Sequence, residues 1–212
     1  MITKILLILL IFDRNAYSGN DFQYWSSKGV SIKVKEYWKI SLAEEFRFSN
    51  NASDFYYQHS DIGLGYSAIK KWLTLGINYR HIYEEKKGGW MVESRPHLNI
   101  AAKWKLYDCR FSNRGRFEYR IRENSNDVLR YRNKVTIKYP LKAARVEIQP
   151  YVADEIFIDF DKNDLSRNRL YLGAEIHFSA DIQGDVYYSL QSSKDKKWND
   201  CHIIGTGVKF MF

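Results

Sequence analysis

Proline and cysteine are both scarce. The chain of 212 residues holds 3 prolines and 2 cysteines. So few prolines leave long strands uninterrupted, because proline cannot donate to a sheet ladder. Two cysteines exclude a disulfide scaffold, and Cys109 and Cys201 have no CxxC-type metal spacing. No apolar run approaches the ~20 residues that a membrane-crossing helix needs, and long helical periodicities are lacking as well. The mean hydropathy of -0.49 is that of a soluble chain.

Aromatic residues, by contrast, are abundant: 16% of the chain, including 16 Tyr and 6 Trp. A transmembrane β-barrel reconciles these facts. Only alternate residues of its strands face lipid, which keeps mean hydropathy low, while aromatic girdles raise the Tyr and Trp count. The net charge of +8 is compatible with nucleic-acid or anionic-surface binding. Lys and Arg are spread along the chain, mostly on one parity of each strand, rather than clustered, so a charged barrel interior is the better reading and nucleic acid is not expected as a partner.

Residues 1–19 have the form of a secretory leader. Lys4 is followed by an apolar core at residues 5–12, then by a polar stretch with small residues through Gly19. The core is too short to span a membrane as a helix. The expected organisation is a signal peptide over 1–19 and one β-barrel domain over 20–212.

From Asp21 onward the chain alternates with period two. In 72–81, Leu73, Leu75, Ile77 and Tyr79 oppose Thr74, Gly76, Asn78 and Arg80. In 114–122, Phe117, Tyr119 and Ile121 oppose Arg114, Arg116, Glu118, Arg120 and Arg122; in 129–138, Leu129, Tyr131, Val135 and Ile137 oppose Arg130, Arg132, Lys134, Thr136 and Lys138. The pattern predicts strands at 22–35, 39–48, 55–67, 72–84, 90–105, 109–123, 128–139, 143–158, 167–178, 183–193 and 201–212. Most exceed the usual ~5–6 residues of soluble strands and meet the ~9–11 that cross a bilayer at a tilt.

Short connections, such as Tyr107-Asp108 and Pro140-Leu141-Lys142, alternate with longer polar ones, such as residues 50–54 and 194–200. Aromatics gather at both ends. Trp38, Tyr66, Trp72, Trp104, Tyr107 and Tyr139 lie towards the short turns; Trp25, Tyr56, Tyr83, Trp90 and Trp198 lie towards the long loops. The two cysteines fall at opposite ends and are expected to be unpaired.

The fold expected is an all-β, antiparallel, up-and-down transmembrane barrel of about 10–12 strands with a charged lumen. The count of about eleven is odd, whereas single-chain bacterial barrels normally have an even number. Either a strand is merged or split, or the N-terminal segment crosses the lumen, or closure is unusual.

Several stretches carry a resemblance: residues 21–25 (DFQYW), 42–48 (LAEEFRF), 75–80 (LGINYR), 95–99 (RPHLN) and 116–120 (RFEYR). The most specific are 131–134 (YRNK), 149–155 (QPYVADE) and 168–171 (NRLY). With these the sequence resembles the bacterial family called domain of unknown function 2490, whose members are regarded as outer-membrane barrels. The resemblance implies a fold and a location in the bacterial outer membrane; it carries no reaction and no catalytic residues.

The inward parity places many charges in one space: Glu45, Arg47, Asp61, Arg80, Arg95, Arg114, Arg116, Glu118, Arg120, Arg130, Arg132, Glu147, Glu155, Arg169, Glu175 and Asp185. Buried charges require partners, so mixed signs imply an ion-paired network. Two readings follow: a plug that holds the barrel rigid, or a narrow passage whose arginine excess selects anions.

An enzyme would need other features. His59, His97 and His177 have inward parity and His81 outward parity. Ser60, Ser94 and Ser112 supply hydroxyls for a lipid hydrolase, yet no local motif links one to a histidine. Asn113 and Asn133 have outward parity, as interfacial or cross-strand bonded residues. Asp154 and Glu155 point to opposite faces and cannot act as paired carboxylates. Asp159, Asp161, Asn163 and Asp164 read as a solvated loop, since they lack the order of an EF-hand. No metal or cofactor is expected.

In the last strand Ile204, Thr206, Val208, Phe210 and Phe212 share one face. Val208, Phe210 and the terminal Phe212 resemble the signal read by the barrel-assembly machinery. The function expected is that of an outer-membrane barrel without enzymatic activity, structural or passing small anions, in contact with outer-membrane lipid. A lipid-modifying barrel hydrolase is the rival, and a soluble β-barrel binder with an apolar interior is the third option.

Overall fold

The computed structural model describes residues 22–68, 72–86, 88–123, 125–143, 146–161, 164–194 and 197–212. The expected leader, 1–19, and the connection at Ile69-Lys70-Lys71 lie outside the described residues.

The described residues are all strand and turn. The strands are β1 (Phe22–Lys35), β2 (Trp38–Ser49), β3 (Asp54–Ala68), β4 (Leu73–Lys86), β5 (Gly89–Leu106) and β6 (Cys109–Arg122). They continue with β7 (Val128–Lys138), β8 (Leu141–Ala143), β9 (Val146–Asp159), β10 (Asp164–His177), β11 (Ile182–Lys194) and β12 (Trp198–Met211). Each strand from β1 to β7 hydrogen-bonds to the next, β7 and β8 both pair with β9, β9 to β12 pair in succession, and β12 returns to β1, so the sheet closes into a barrel.

β7 and β8 are one strand in two pieces. Lys138 pairs with Tyr151 and Leu141 with Ile148 in a single register, and Tyr139 N–H donates to the Pro150 carbonyl between them. The wall therefore has eleven strands among the described residues. This corrects the turn expected at Pro140-Leu141-Lys142: the strand runs on to Ala143. β6 begins only at Cys109, with Arg110 opposite Lys138, so Pro140 overhangs on that side and its missing N–H leaves no acceptor stranded.

The odd count decides the closure. Successive strands reverse direction, so the first and eleventh point the same way and their seam must be parallel. β1 and β12 pair in parallel from Phe22↔His202 to Ser31↔Met211. The barrel is thus mixed rather than wholly antiparallel. Beyond that ladder, Phe212 N–H donates to the Ser31 carbonyl at 2.9 Å and Lys33 N–H to the Phe212 carbonyl at 2.7 Å. The last residue is tied into the wall.

Alternation sorts the side chains into two populations. The outer face carries aliphatic side chains between two tiers of aromatics; Ile77, at its middle, is 66% exposed. One tier joins Trp38 to Tyr66 and Trp104 to Phe111 at the short-turn end. The other joins Phe48, Phe55 and Trp90 at the long-loop end. The inner face holds nearly all buried charge.

Two aromatics assigned to the long-loop tier belong inside. Trp25 is 3% exposed and stacks under Arg47, 3.7 Å from the ring centroid, and Arg169, at 4.7 Å. A bulge shifts the register between Arg47↔Tyr57 and Phe48↔Phe55, and the extra residue, Tyr56, turns its hydroxyl to Gln23 at 2.7 Å. Neither cysteine is in a disulfide; Cys109 stands at the start of β6 and Cys201 near the start of β12.

Candidate functional site

The inner face is organised around two carboxylates with almost no exposed surface. Glu118 on β6 accepts from Arg132 Nη1 at 2.8 Å and lies 3.5 Å from Arg116 Nη1 and 3.6 Å from Arg95 Nη1. Glu155 on β9 accepts from Arg132 Nη2 at 2.8 Å, Arg114 Nη2 at 3.0 Å and the Tyr171 hydroxyl at 3.0 Å, with Arg169 Nη1 at 3.9 Å. Arg132 therefore bridges the two acids along the inner wall, over three adjacent strands. Period-two placement on β6, β7 and β9 makes this possible, since Glu118, Arg132 and Glu155 share the inner face at neighbouring levels.

From Glu118 the network continues through neutral amides. Arg116 Nε donates to Asn99 at 2.7 Å, Asn99 Nδ2 to Asn78 at 2.8 Å, and Asn78 Nδ2 to Asp61 at 2.9 Å. Asp61 also accepts from Arg80 Nε at 2.8 Å and sits 3.6 Å from His97 Nε2. Towards the long loops, Arg120 grips Glu93 with two bonds, at 2.9 and 2.8 Å, and Arg95 joins the same carboxylate at 2.7 Å. Arg130 pairs with Asp159. Glu45 accepts from Arg47 Nε at 2.6 Å, with His59 Nδ1 at 3.8 Å. At the short-turn end Lys138 pairs with Glu175, which lies 3.9 Å from His177, and half-exposed Glu147 meets Arg110 at 3.1 Å.

Asp185 accepts from the Tyr151 hydroxyl at 3.3 Å, opposite Glu175, so the charged residues expected to face inward lie on the inner face, with Glu147 at its rim. Glu93, Asp159, Asn78 and Asn99 complete the network, and parity alone marks them. Asp159 corrects the reading of 159–164 as a solvated loop. It ends β9 as the partner of Arg130, and Asp164 opens β10 and pairs with Lys194; Asn163 lies outside the described residues.

Arginine exceeds the acids available to it. Arg167 donates to Ser193 at 3.0 Å and stacks on Phe157, and Arg114 keeps a buried Nε unpaired. These side chains, with Arg47, Arg169 and Lys134, border an internal cavity of about 290 Å³. Phe157, itself buried, lies beneath Arg132 and Arg169 at 4.5 and 4.9 Å from its centroid. An aromatic face stabilises a desolvated guanidinium without neutralising it, so the cavity stays cationic.

The outer face carries a second polar feature. Cross-strand pairing aligns Lys28, Glu44, Ser60, His81 and Ser94 in one row over β1 to β5, each residue directly opposite the next. Lys28 Nζ is 3.1 Å from Glu44 Oε2, and the Ser94 and Tyr79 hydroxyls are 2.8 Å apart. Ser112 lies inside, opposite Lys103. Asn113 and Asn133 bond to each other across β6 and β7 at 2.8 Å, and Asn168 donates to Asp154 at 2.6 Å; Asp154 and Glu155 do face opposite ways.

Comparison with known families fits this geometry to one group. Residues 22–201 match the model of a family described as "Protein of unknown function (DUF2490)". The chain belongs to this family. The match covers nearly all of the DUF2490 barrel, from the first residue of β1 into β12. No curated protein matches the sequence. The DUF2490 assignment agrees with the resemblance carried by the sequence motifs, and it brings no activity with it.

Proposed function

We propose that this DUF2490 chain is a bacterial outer-membrane β-barrel whose lumen is closed by ion pairs to all but small anions. The observation that carries this reading is the sorting of side chains on a closed wall. Half-exposed aliphatic residues such as Leu42, Ile77, Leu98 and Leu172 ring the outside, and most of the buried charge lies inside. Monomeric soluble proteins rarely expose so large an apolar patch, whereas lipid favours one, provided that every backbone group is paired. The aromatic tiers at both ends suit the two membrane interfaces.

The inner network supports the restricted passage. Glu118, Arg132 and Glu155 fill the interior, and the cationic cavity beside them favours anions. In this reading the long loops face outward, residues 1–19 direct export, and the assembly machinery reads Val208, Phe210 and Phe212. The partners are then outer-membrane lipid and, during biogenesis, that machinery.

Cell fractionation tests the location. The mature protein should remain with outer membranes after detergent-free lysis and show heat-modifiable gel mobility. Recovery in the soluble fraction would overturn the reading.

A further inference from the structure

The polar row on the outer wall has no role in closing the barrel and is out of place on an apolar face. The row on its short-turn side, Val30, Leu42, Ile62 and Tyr79, is what lipid contact calls for, and the row on its long-loop side sets Phe46 and Tyr83 alternately with Ser26 and Gln58. Beyond Phe46 and Tyr83 stands the long-loop aromatic tier. The row therefore sits one step inside the level at which aromatic rings mark a membrane interface, where the ester carbonyls of membrane lipids lie. Serine is short and its neighbours are long, so the wall dips at Ser60. Lys28, Glu44, Ser60 and His81 border a hollow of about 410 Å³ whose apolar side is formed by Val30, Leu42, Ile62 and Phe210.

The geometry points to an acyl-ester hydrolysis site here, with Ser60 as nucleophile, His81 as its base and an anionic membrane amphiphile as substrate. This inference rests on the outer-membrane reading given above. Ser60 and His81 are directly opposite on adjacent strands, where Cβ atoms lie about 4.5–5.5 Å apart; the imidazole packs edge-on against Tyr83 at 4.9 Å, and rotation about its χ1 would carry it to Ser60 Oγ. Ser94, on the other side of His81, is engaged by Tyr79, which leaves Ser60 as the available hydroxyl. Lys28 offers an ammonium to a substrate phosphate. Glu44 stands two strands from His81, about 9.5 Å at the usual strand spacing, a gap that the two long side chains span above Ser60. Once Lys28 is drawn to a phosphate, Glu44 is released to orient the imidazole and acts as a positioning residue.

The chemistry needs only water as co-reactant. Ser60 Oγ attacks the ester carbonyl carbon as its proton passes to His81. The bond from that carbon to the alcohol oxygen breaks, and His81 returns the proton to the departing oxygen, leaving an acyl ester on Ser60. Water then adds to that ester and gives a proton to His81; the bond to Oγ breaks, Ser60 regains the proton, and a free fatty acid leaves. The apolar hollow holds the acyl chain.

The test uses the purified, folded full chain in mixed micelles, with heat-modifiable mobility checked for every variant. One arm supplies phosphatidylglycerol carrying a fluorescent acyl chain; the other supplies lipopolysaccharide, with released acids identified by mass spectrometry. The arm that releases acid names the lipid class. Ser60→Ala and His81→Asn are expected to lose activity by about a hundredfold or more, while Ser94→Ala retains it. Glu44→Gln should lower kcat with KM unchanged. A serine-directed phosphonate should add its mass to Ser60 and not to the Ser60→Ala protein. Folded wild type that releases no acid in either arm and takes up no phosphonate overturns the site, as does release that survives Ser60→Ala. The micelle assay reads the outer row alone and fractionation reads the location, so failure of one is told apart from failure of the other.

Discussion

Arg132 donates to Glu118 at 2.8 Å, and Glu118 has 0% of its surface exposed. Removing one partner of such a pair leaves the other charge buried without compensation, a loss of about 3–5 kcal/mol. Glu118→Gln leaves Arg116 without a carboxylate partner and removes one of two from Arg132 and Arg95, which keep Glu155 and Glu93; it should destabilise the barrel by about 3 kcal/mol. Denaturant titration of the micelle-folded protein, followed by tryptophan fluorescence, measures it. The paired change Glu118→Leu with Arg132→Met should cost less than the sum of the two single changes, since the bond between the two side chains is lost only once.

The tyrosine cluster on the inner face depends on glycines. Tyr187 lies across the paired Gly205, and a methyl group built on Gly205 would overlap its ring. One built on Gly173 would stand 2.7 Å from both the Val186 carbonyl oxygen and Tyr187 Cβ. Tyr187 packs against Tyr171 at 5.6 Å and would have to give up that contact to move. Overpacking of this kind costs about 1–3 kcal/mol. Gly205→Ala and Gly173→Ala should each show it in the same titration, with Gly173→Ala the worse because backbone cannot swing aside.

Phe212 holds two functions that mutagenesis separates. Its backbone makes two seam hydrogen bonds, and its ring belongs to the proposed assembly signal. Phe212→Ala keeps both bonds, so the protein should refold in detergent with unchanged stability yet reach the outer membrane in lower amount. Deleting Phe212 should also lower the stability of the refolded protein by about 1–2 kcal/mol, the worth of two ordinary hydrogen bonds. Equal outer-membrane yields for wild type and Phe212→Ala would remove the assembly role.

The cationic cavity predicts the sign of any current. In planar bilayers the folded protein should give a small conductance biased towards anions. Arg167→Glu combined with Lys134→Glu should reduce or reverse that bias, measured as the shift in reversal potential under a salt gradient. A well-folded sample with no conductance would leave the lumen a plug and remove the passage.

The sequence made parity legible because a strand repeats every two residues, and an arginine opposite an apolar side chain can only mean one face in and one face out. That reasoning places Arg116, Glu118, Arg130, Arg132 and Glu155 together without a structure. It fails where a strand has no contrast between its faces. In β1, Ser26, Ser27 and Lys28 are polar on both parities, so Trp25 reads as a rim aromatic although it stacks beneath Arg47 and Arg169. It also fails at Pro140, because a proline at an overhang looks the same in sequence as a proline in a turn.

What the sequence determined by itself is an all-β wall with charge on one face, long strands of about the right number, and membership in the DUF2490 family. Those are consequences of local alternation and composition. Tertiary structure alone decided the parallel seam, which depends on the exact number of reversals, and the partners of each arginine, which come from strands distant in the chain. It alone decided the outer row as well. Ser60, His81 and Ser94 are legible in the sequence only one at a time, and Lys28 and Glu44 not at all; at their irregular spacings, only the registers of four successive strand pairs set the five side by side. Register is fixed by turn lengths and bulges acting along the whole sheet, so no local stretch of the sequence contains it.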